Sequence, residues 1–431
     1  MKKIFLILFA FALGTPFLRG QNDSLVMRFT LEDCLRYAFG NNNTKKQMEL
    51  DKKTQELNYQ LAKESRMPNL NASASGSFSN NNDGSRFSGT AGINTGMTIF
   101  QGGQINKTIT KEKLGLEQSE LKVTQYDDKL SVQILEAFLT LIGNEELIKY
   151  QSAVMESSRE ALKQGEQKYS VGSILESDYL LLKAQFASDT NNIVETQASI
   201  IDNLLSLKVL LSMDPDEEFA VIAPDTALLH TLEIFPTKDE ALDEALAHSP
   251  DLRISQYDID IAKKSLRIAK SSYYPTVSLN AGITANLNEF NNFGSQKDQT
   301  FSEQVGISMN IPIYSRGTTR TRVRQSAISL ERSELAHEQN ILATKQTIVK
   351  EYQDLVSAYN NYKVSEQTKN AYEMSFLAYK NQFQYGSITT VELLQQQNNY
   401  LNALNKFIQN KYSFILQRKI LDVYMGKEVT F

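Results

Sequence analysis

The sequence predicts an α+β membrane protein in which pairs of membrane-type strands alternate with very long helices. Three observations support this prediction. Residues 69–214 and 313–431 contain none of the chain's 8 prolines, and proline costs roughly 3 kcal/mol inside a helix, so both stretches permit long helices. Four short segments alternate apolar with polar residues, which is typical of strands. The apolar pattern of the first half also recurs in the second half at a constant offset.

Composition excludes several classes of protein. Lys and Arg number 45 against 50 Asp and Glu in 431 residues, and this balance argues against a nucleic-acid partner. A single cysteine, Cys34, excludes a disulfide framework and a cysteine-rich metal site. The histidines His230, His248 and His337 lie too far apart to form a metal-binding spacing or a nucleophile–base pair. We therefore expect no enzyme activity, no metal and no cofactor.

The N-terminus predicts export. Met1–Lys3 is positively charged and residues 4–13 are apolar, a run too short to span a membrane as a helix. Residues 1–20 are therefore predicted to be a signal peptide. The less favoured alternative is a buried N-terminal helix.

Heptad patterns predict two very long helices, over residues 102–168 and 316–382. Apolar residues recur every seven positions in both, which predicts coiled-coil packing. In the first helix they are Ile134, Leu141, Ile148, Met155, Leu162 and Tyr169, and in the second Ile328, Leu335, Leu342, Val349 and Val356. At 1.5 Å per residue each helix would be about 100 Å long. The alternative is a helix of an ordinary soluble bundle.

The two halves of the chain match each other. Adding 214 carries Gly172 onto Gly386, and adding 207 carries Pro68 onto Pro275. We interpret residues 21–213 as a first repeat, 214–237 as a linker, 238–425 as a second repeat and 426–431 as a C-terminal tail.

Each predicted repeat has the same helices around its strands. Return helices at 173–213 and 387–425 follow the long helices, and opening helices cover about 31–66 and 238–273. Return and opening helices, placed end to end, would match one long helix in length.

Four strands are predicted, at 69–79, 86–100, 276–288 and 301–313. One face of each is apolar and the other carries Ser, Thr and Asn. We predict that Ile93, Ile283 and Ile307 face lipid and that Ser75, Asn280 and Asn310 face water. Because strand charge is nearly confined to Glu303, we favour this interpretation over a half-exposed soluble sheet.

The number of strands has a consequence for assembly. Four strands cannot close a barrel, since known membrane barrels start at about 8, so the barrel must be shared between subunits. A dimer would supply eight strands and a trimer twelve, and periodicity alone leaves both open.

The turns between the long and return helices resemble those of the TolC-type outer-membrane efflux family. The first is Tyr169-Ser170-Val171-Gly172 followed by Ser177-Asp178, and the second is Phe383-Gln384-Tyr385-Gly386 followed by Glu392-Leu393-Leu394. The resemblance covers essentially the whole mature chain. It implies a homotrimer with a twelve-stranded barrel in outer-membrane lipid and a helical tunnel through the periplasm. It also implies that an inner-membrane transporter and a periplasmic adaptor open the tunnel tip.

The resemblance assigns roles at the tip. Glu392 matches an acidic aperture position, and Gln395 replaces a second acid found there in the family. Glu392 could equally be an acid that stabilises a helix start. Asp178, which follows Ser177, matches a position that ties neighbouring helices to a Tyr and an Arg. Here those partners are replaced by Phe383 and Ile388, so apolar packing is expected instead. For Asp178 we slightly favour the alternative of a helix-start acid. Glycine suits the turns at Gly172 and Gly386 because it adopts positive φ.

A basic run follows the last predicted strand, at Arg316, Arg320, Arg322 and Arg324. Lipid headgroups would explain it, and so would an ordinary solvated face.

Two functions remain in competition. The first is a passive exit duct of a tripartite efflux or type I secretion system, carrying drugs, metal ions or polypeptides. The second is a trimeric coiled-coil adhesin or structural tether. The short predicted outer loops, Asn80–Ser85 and Asn288–Thr300, leave no room for a passenger domain and favour the duct.

Overall fold

The computed structural model describes residues 27–81, 84–223, 234, 236–290 and 297–429. The predicted signal peptide and residues 224–233 and 235 of the predicted linker lie outside these residues. The first half contains β1 (Met27–Phe29), α1 (Leu31–Asn41), α2 (Asn43–Glu64), β2 (Asn69–Asn81), β3 (Gly84–Gln101), α3 (Gln104–Ser170) and α4 (Glu176–Leu211). A short strand, β4 (Phe219–Val221), follows. The second half contains α5 (Lys238–His248), α6 (Pro250–Ser271), β5 (Thr276–Phe290), β6 (Lys297–Asn310), α7 (Thr318–Gln384) and α8 (Thr390–Tyr424).

The opening helices are not continuous, and in this the sequence prediction is wrong. Asn42 lies between α1 and α2 and caps α2, because its side chain accepts a hydrogen bond from the Lys45 N–H. Ser249 lies between α5 and α6 and caps α6, with Pro250 in the first turn. Both residues have ψ values outside the helical range, so the chain bends before each cap.

The long helices begin two residues later than predicted. Residues 102 and 316 precede α3 and α7 by two positions, and Gly103 and Gly317 occupy the left-handed region at their starts. Each helix is 67 residues long, or about 100 Å.

Four strands form one antiparallel sheet in the order β2-β3-β5-β6. The last strand covers 297–310 instead of the predicted 301–313. Its end at Asn310 has a physical reason, since Pro312 lacks the N–H that a sheet ladder needs. The strands β2 and β6 are the edges of this sheet.

The helices pack side by side beneath the sheet in a layer. The helix α3 lies inside this layer, between α2 and α4 on one side and α6 and α8 on the other, whereas α7 contacts α5, α6 and α8. The edges of the layer are therefore α2 on one side and α7 on the other, while α4 also contacts α8.

Short helices meet end to end, as the lengths predicted. Where α2 begins and α4 ends, Asn42 Nδ2 donates to the Leu210 carbonyl (2.9 Å) and the Asn43 N–H donates to Ser212 Oγ (3.2 Å). In the second half, Gly426 lies after α8 with positive φ, and a Cβ there would be 3.0 Å from the His248 ring. Each half thus pairs one continuous helix with one interrupted partner.

The main core lies at this junction. It contains Leu130, Ile134 and Phe138 of α3 together with Cys34 of α1, all fully buried. Burial raises the pKa of the Cys34 thiol to about 12, which makes it an inert packing group. The parallel pairing of β1 with β4 was not predicted, and it ties the linker to the start of the chain.

None of the helices among the described residues is both long and apolar enough to cross a membrane.

Candidate functional site

The sheet has two chemically different faces. Ile93 pairs with Ile283, and Leu279 pairs with Ile307, so the strands place these apolar side chains on one face. Asn280, one residue along, points to the opposite face. The side chains of the apolar face are widely exposed in the single chain, at 80% for Val305 and 72% for Ile307. The chain by itself therefore leaves this apolar surface uncovered.

Hydrogen bonds connect side chains across the polar face. The hydroxyls of Ser77 and Ser88 lie 2.7 Å apart, and Thr90 donates to Asn286 Oδ1 (3.2 Å). Asn280 Nδ2 donates to Ser308 Oγ (3.2 Å). These hydrogen-bonded groups are neutral and polar. Glu303 belongs to the other face, since it pairs with Ile283, and places an acidic residue there.

The two tip turns have the same geometry at an offset of 214. The Gly172 N–H donates to the Tyr169 carbonyl and the Ser173 N–H to the Lys168 carbonyl. The Gly386 and Ser387 N–H groups donate to the Phe383 and Gln382 carbonyls in the same way. Gly172 and Gly386 have φ of 73° and 74°, so both helices end in a Schellman motif.

The tips lie at the same end of the molecule. Lys168 Nζ donates to the Phe383 carbonyl (3.4 Å) and lies 4.9 Å from the centre of the Phe383 ring. The first tip is held by stacking of Tyr169 on Tyr179, with ring centres 5.2 Å apart. Ser177 is exposed and Asp178 half-buried in the first turn of α4, where an acid suits the helix dipole.

Glu392 lies in a capping box at the start of α8. Its carboxylate accepts hydrogen bonds from the N–H (2.8 Å) and hydroxyl (2.9 Å) of Thr389, whose hydroxyl accepts from the Glu392 N–H. These bonds hold the pKa of Glu392 below its ordinary value. Gln395 is exposed one turn further along α8. The single chain therefore gives Glu392 the role of a helix-start acid.

Apolar packing holds the second tip. Phe383 is buried in a cluster with Phe376 and Leu393, and Ile388 packs against this cluster. Apolar contacts therefore surround Phe383 and Ile388 within the single chain.

The basic run is exposed at the start of α7. Arg316 has φ of 51°, which is unusual for a residue with a side chain. Its counterpart, Gly102, has φ of 58°, and a Cβ there would lie 2.9 Å from the Ser271 carbonyl. The two halves therefore share a backbone turn but not its surroundings. Arg320, Arg322 and Arg324 are solvent-exposed on the first turns of α7.

A buried polar cluster was missed from the sequence. Gln397 of α8 donates to Asp189 Oδ2 of α4 (2.6 Å) and to Ser158 Oγ of α3 (2.7 Å), while Ser158 also donates to Asp189. Asp189 is only 2% exposed, and burial raises its pKa. The cluster joins the α3–α4 hairpin to α8. The sequence did carry a signal for this cluster, since Leu182, Asp189 and Thr196 follow one another at heptad spacing on α4. The structure buries all three, so an acid in such a row predicts a polar partner on a neighbouring helix.

A second polar link joins the hairpins nearer the core. Lys411 Nζ lies 2.7 Å from Glu146 Oε2, and the Tyr412 hydroxyl donates to the same carboxylate (2.6 Å). Burial and this hydrogen bond raise the pKa of Tyr412. Closer to the tip, Lys380 pairs with Glu160 at 3.1 Å. Polar contacts therefore connect the two hairpins at several heights. Among the described residues no cluster of three or more potential ligands forms a metal site.

The fold and its tips define a class of envelope channel, and comparison with known proteins identifies the family. The family model described as outer membrane efflux protein matches residues 36–212 and 241–427. The chain therefore belongs to the outer membrane efflux protein family.

Individual relatives are distant in sequence and close in fold. The chain is 20% identical to outer membrane protein TolC of Vibrio cholerae over 361 residues, which cover 81% of this chain and 80% of that protein. It is 21% identical to alkaline protease secretion protein AprF of Pseudomonas aeruginosa, over 72% of this chain and 63% of that protein. A crystal structure of CusC, described in connection with transmembrane channel formation, superposes with a TM-score of 0.79 at 15% identity, covering 92% of each chain.

Proposed function

We propose that this protein is the outer-membrane exit duct of a tripartite efflux or type I secretion system. Its family and its likeness to TolC and to the secretion protein AprF support an outer-membrane location with an extension into the periplasm. The duct is a passive conduit. An inner-membrane transporter drives transport, and a periplasmic adaptor connects the transporter to the duct.

The observation that carries the proposal is the two-faced sheet with open edges. An open sheet edge in lipid would leave N–H and C=O groups unpaired at a cost of several kcal/mol each, so β2 and β6 must pair with other copies. Three copies give a twelve-stranded barrel. Its apolar face, with Ile93, Ile283 and Ile307, lies in lipid, and its polar face, with Ser75, Asn280 and Asn310, lines the water-filled lumen.

The helices continue the lumen as a tunnel. Two helices of 67 residues per chain reach about 100 Å from the barrel, which suits a path through the periplasm. The two halves act as structural repeats, so three chains present six equivalent hairpins. The exposed basic run at Arg316, Arg320, Arg322 and Arg324 lies where strand meets helix, at the level of the inner-leaflet headgroups.

The tip is the gate. Gly172 and Gly386 reverse the chain there, and Tyr169, Phe383 and Ile388 pack the turns. Glu392 caps α8, and three copies of its carboxylate around an axis would attract cations. Gln395 follows Glu392 on α8, and Ser177 and Asp178 lie on the first turn of α4 at the same end of the molecule.

Two measurements test the duct. Mass measurement in detergent is expected to give a homotrimer, and planar-bilayer recording is expected to show conductance. A monomer in detergent would contradict the shared barrel, and a trimer without conductance would favour the structural tether.

Substitutions on the two faces of one strand test the barrel's orientation. Ile283→Arg is expected to impair assembly, by roughly 2–4 kcal/mol if it lies near the bilayer midplane. The matched control, Asn280→Arg, is expected to assemble. Cysteine variants at the two positions check this assignment. If labelling finds position 280 in lipid and position 283 in water, the assignment of the two faces is wrong.

A further inference from the structure

Two edges of the helical layer expose apolar rows in the single chain. The helix α7 exposes Ile328, Leu335 and Leu342 at heptad spacing, each more than half accessible. The opposite edge, α2, exposes Leu50, Leu57 and Leu61 to a similar degree. Rows of this kind pack against a second helix in a coiled coil, and each row lacks such a neighbour among the described residues.

The chain contains a template for the missing contact. The helices α3 and α6 run antiparallel, since Lys107 Nζ bonds Ser271 Oγ at one height and Gln118 Nε2 bonds Asp258 Oδ1 (2.7 Å) at another. Gln118 also donates to the Ile254 carbonyl (3.1 Å) and is buried by the contact. The offset of 214 carries α3 onto α7, and the offset of 207 carries α6 onto α2.

In the proposed contact a pair of opposite charges replaces the amide–carboxylate pair of the template. Gln118 corresponds to Arg332 on α7, and Asp258 corresponds to Asp51 on α2. Arg332 and Asp51 are exposed, and neither has an ion pair or hydrogen bond from its side chain within the described chain. We propose that α7 of one copy packs antiparallel on α2 of a neighbouring copy, in the register that pairs Arg332 with Asp51 of the partner subunit.

The apolar rows fit the same register. With Arg332 level with the partner's Asp51, Leu335 lies about 3 Å along the axis from the partner's Leu50, and Ile328 lies about 3 Å from the partner's Leu57, at 1.5 Å per residue. Both apolar pairs are thus within reach on either side of the charged pair. An ion pair flanked by apolar contacts selects one register, because slipping the helices would leave both charges unpaired.

The chain also contains a competing partner for Arg332. Arg332 and Asp258 line one groove between α6 and α7, yet they form no ion pair within 4.0 Å. Asp258 is already bonded to Gln118. The likeness between the α3–α6 contact and the proposed α7–α2 contact ends near the sheet. There Arg316 carries a side chain at the position where Gly102 makes a close backbone approach. The proposal therefore concerns the helical part of the contact.

Cross-linking tests this contact, which rests on the proposed trimer. In a Cys34→Ala background, the double variant Arg332→Cys/Asp51→Cys is treated with a short bis-maleimide and run on a denaturing gel. Covalent dimers and trimers are expected. The control Arg332→Cys/Asp258→Cys is expected to stay at the mass of one chain, as are the single-cysteine variants.

Charge reversal supplies an independent readout. Arg332→Asp is expected to lower the fraction of trimer that survives in detergent several-fold, and adding Asp51→Arg is expected to restore it. A wild-type trimer that gives neither cross-links nor charge rescue would overturn the proposed contact and leave these rows for another partner, such as an adaptor helix. A wild-type monomer would overturn the trimer itself.

Discussion

The long helices α3 and α7 have the same length and end in the same turn, yet they differ in burial. Phe138 of α3 is fully buried, and so are Leu130 and Leu135. In α7 the row Ile328, Leu335 is exposed, and burial is confined to the lower part of the helix, from Ile348 onward. Neighbours cause the difference, since α3 lies inside the helical layer and α7 lies at its edge. Heptad spacing therefore predicts a helix and its packing face, and it leaves open which chain supplies the partner.

The largest expected effect separates the interior helix from the edge helix. Phe138→Ala should lower the free energy of unfolding by about 3–5 kcal/mol, because it removes a fully buried aromatic side chain. Leu335→Ala removes a side chain that is exposed within the chain, so it should cost clearly less than Phe138→Ala even with the proposed contact to a neighbouring copy. Denaturant unfolding followed by circular dichroism measures both. Equal losses would show that the edge position is as well packed as the interior one.

The next largest effect on stability is expected at the turns that precede the two long helices. Gly102→Ala should destabilise the protein by about 2–3 kcal/mol, since it adds positive-φ strain and a contact with the Ser271 carbonyl. Arg316→Gly should be neutral or stabilise by up to about 1 kcal/mol, because it relieves the same backbone strain. Thermal unfolding of both variants checks the pair. A harmless Gly102→Ala would mean that the turn relaxes freely.

Asp189, the buried acid between the hairpins, gives a pH-dependent effect on stability. Burial raises the pKa of Asp189, so the folded protein binds its proton more tightly than the unfolded chain, and this group makes stability fall as pH rises from the ordinary Asp range through the raised value. Asp189→Asn should remove this slope. Asp189→Leu should cost about 1–3 kcal/mol at any pH, because Gln397 and Ser158 lose their partner.

Unfolding curves across the acidic range measure this slope. The control is Leu182→Ala, one heptad along α4, which removes a buried side chain but keeps the Asp189 carboxylate and should therefore retain the slope. A wild-type slope that persists in Asp189→Asn would assign the pH dependence to another group.

The smallest effect on stability is expected at Glu392, where function is the readout. Glu392→Gln should lower cation preference in planar bilayers and weaken block by trivalent cations, because in the proposed trimer it neutralises three carboxylates at the aperture. Salt should loosen the closed tip little, since apolar packing holds Phe383. Unchanged selectivity and block would restrict Glu392 to its capping box. Its lowered pKa means that the stability it contributes is present above the ordinary Glu range and is lost as pH falls through the lowered value.

Local signals in the sequence predicted much of the fold. Absence of proline and heptad spacing located α3 and α7, period-two alternation located the strands, and glycine located the turns at Gly172 and Gly386. Each of these signals depends on a few neighbouring residues, since helix, strand and turn are set by local backbone preferences. The breaks at Asn42 and Ser249 were missed, although both are good cap residues, because the apolar pattern continues across them.

Contacts between distant segments were decided by the tertiary structure alone. The pairing of β1 with β4 and the cluster of Ser158, Asp189 and Gln397 join residues far apart in the chain, and pattern alone does not say which helix covers an acid at a heptad position. Glu392 also shows one feature that the sequence predicted and another that only the structure showed. Its place at a helix start was readable from the sequence, whereas the hydrogen bonds to Thr389 that orient its carboxylate emerged only with the fold. The sequence by itself therefore determined the elements and their faces, because these depend on local periodicity. The tertiary structure decided the neighbours, because burial and hydrogen bonding depend on which surfaces meet.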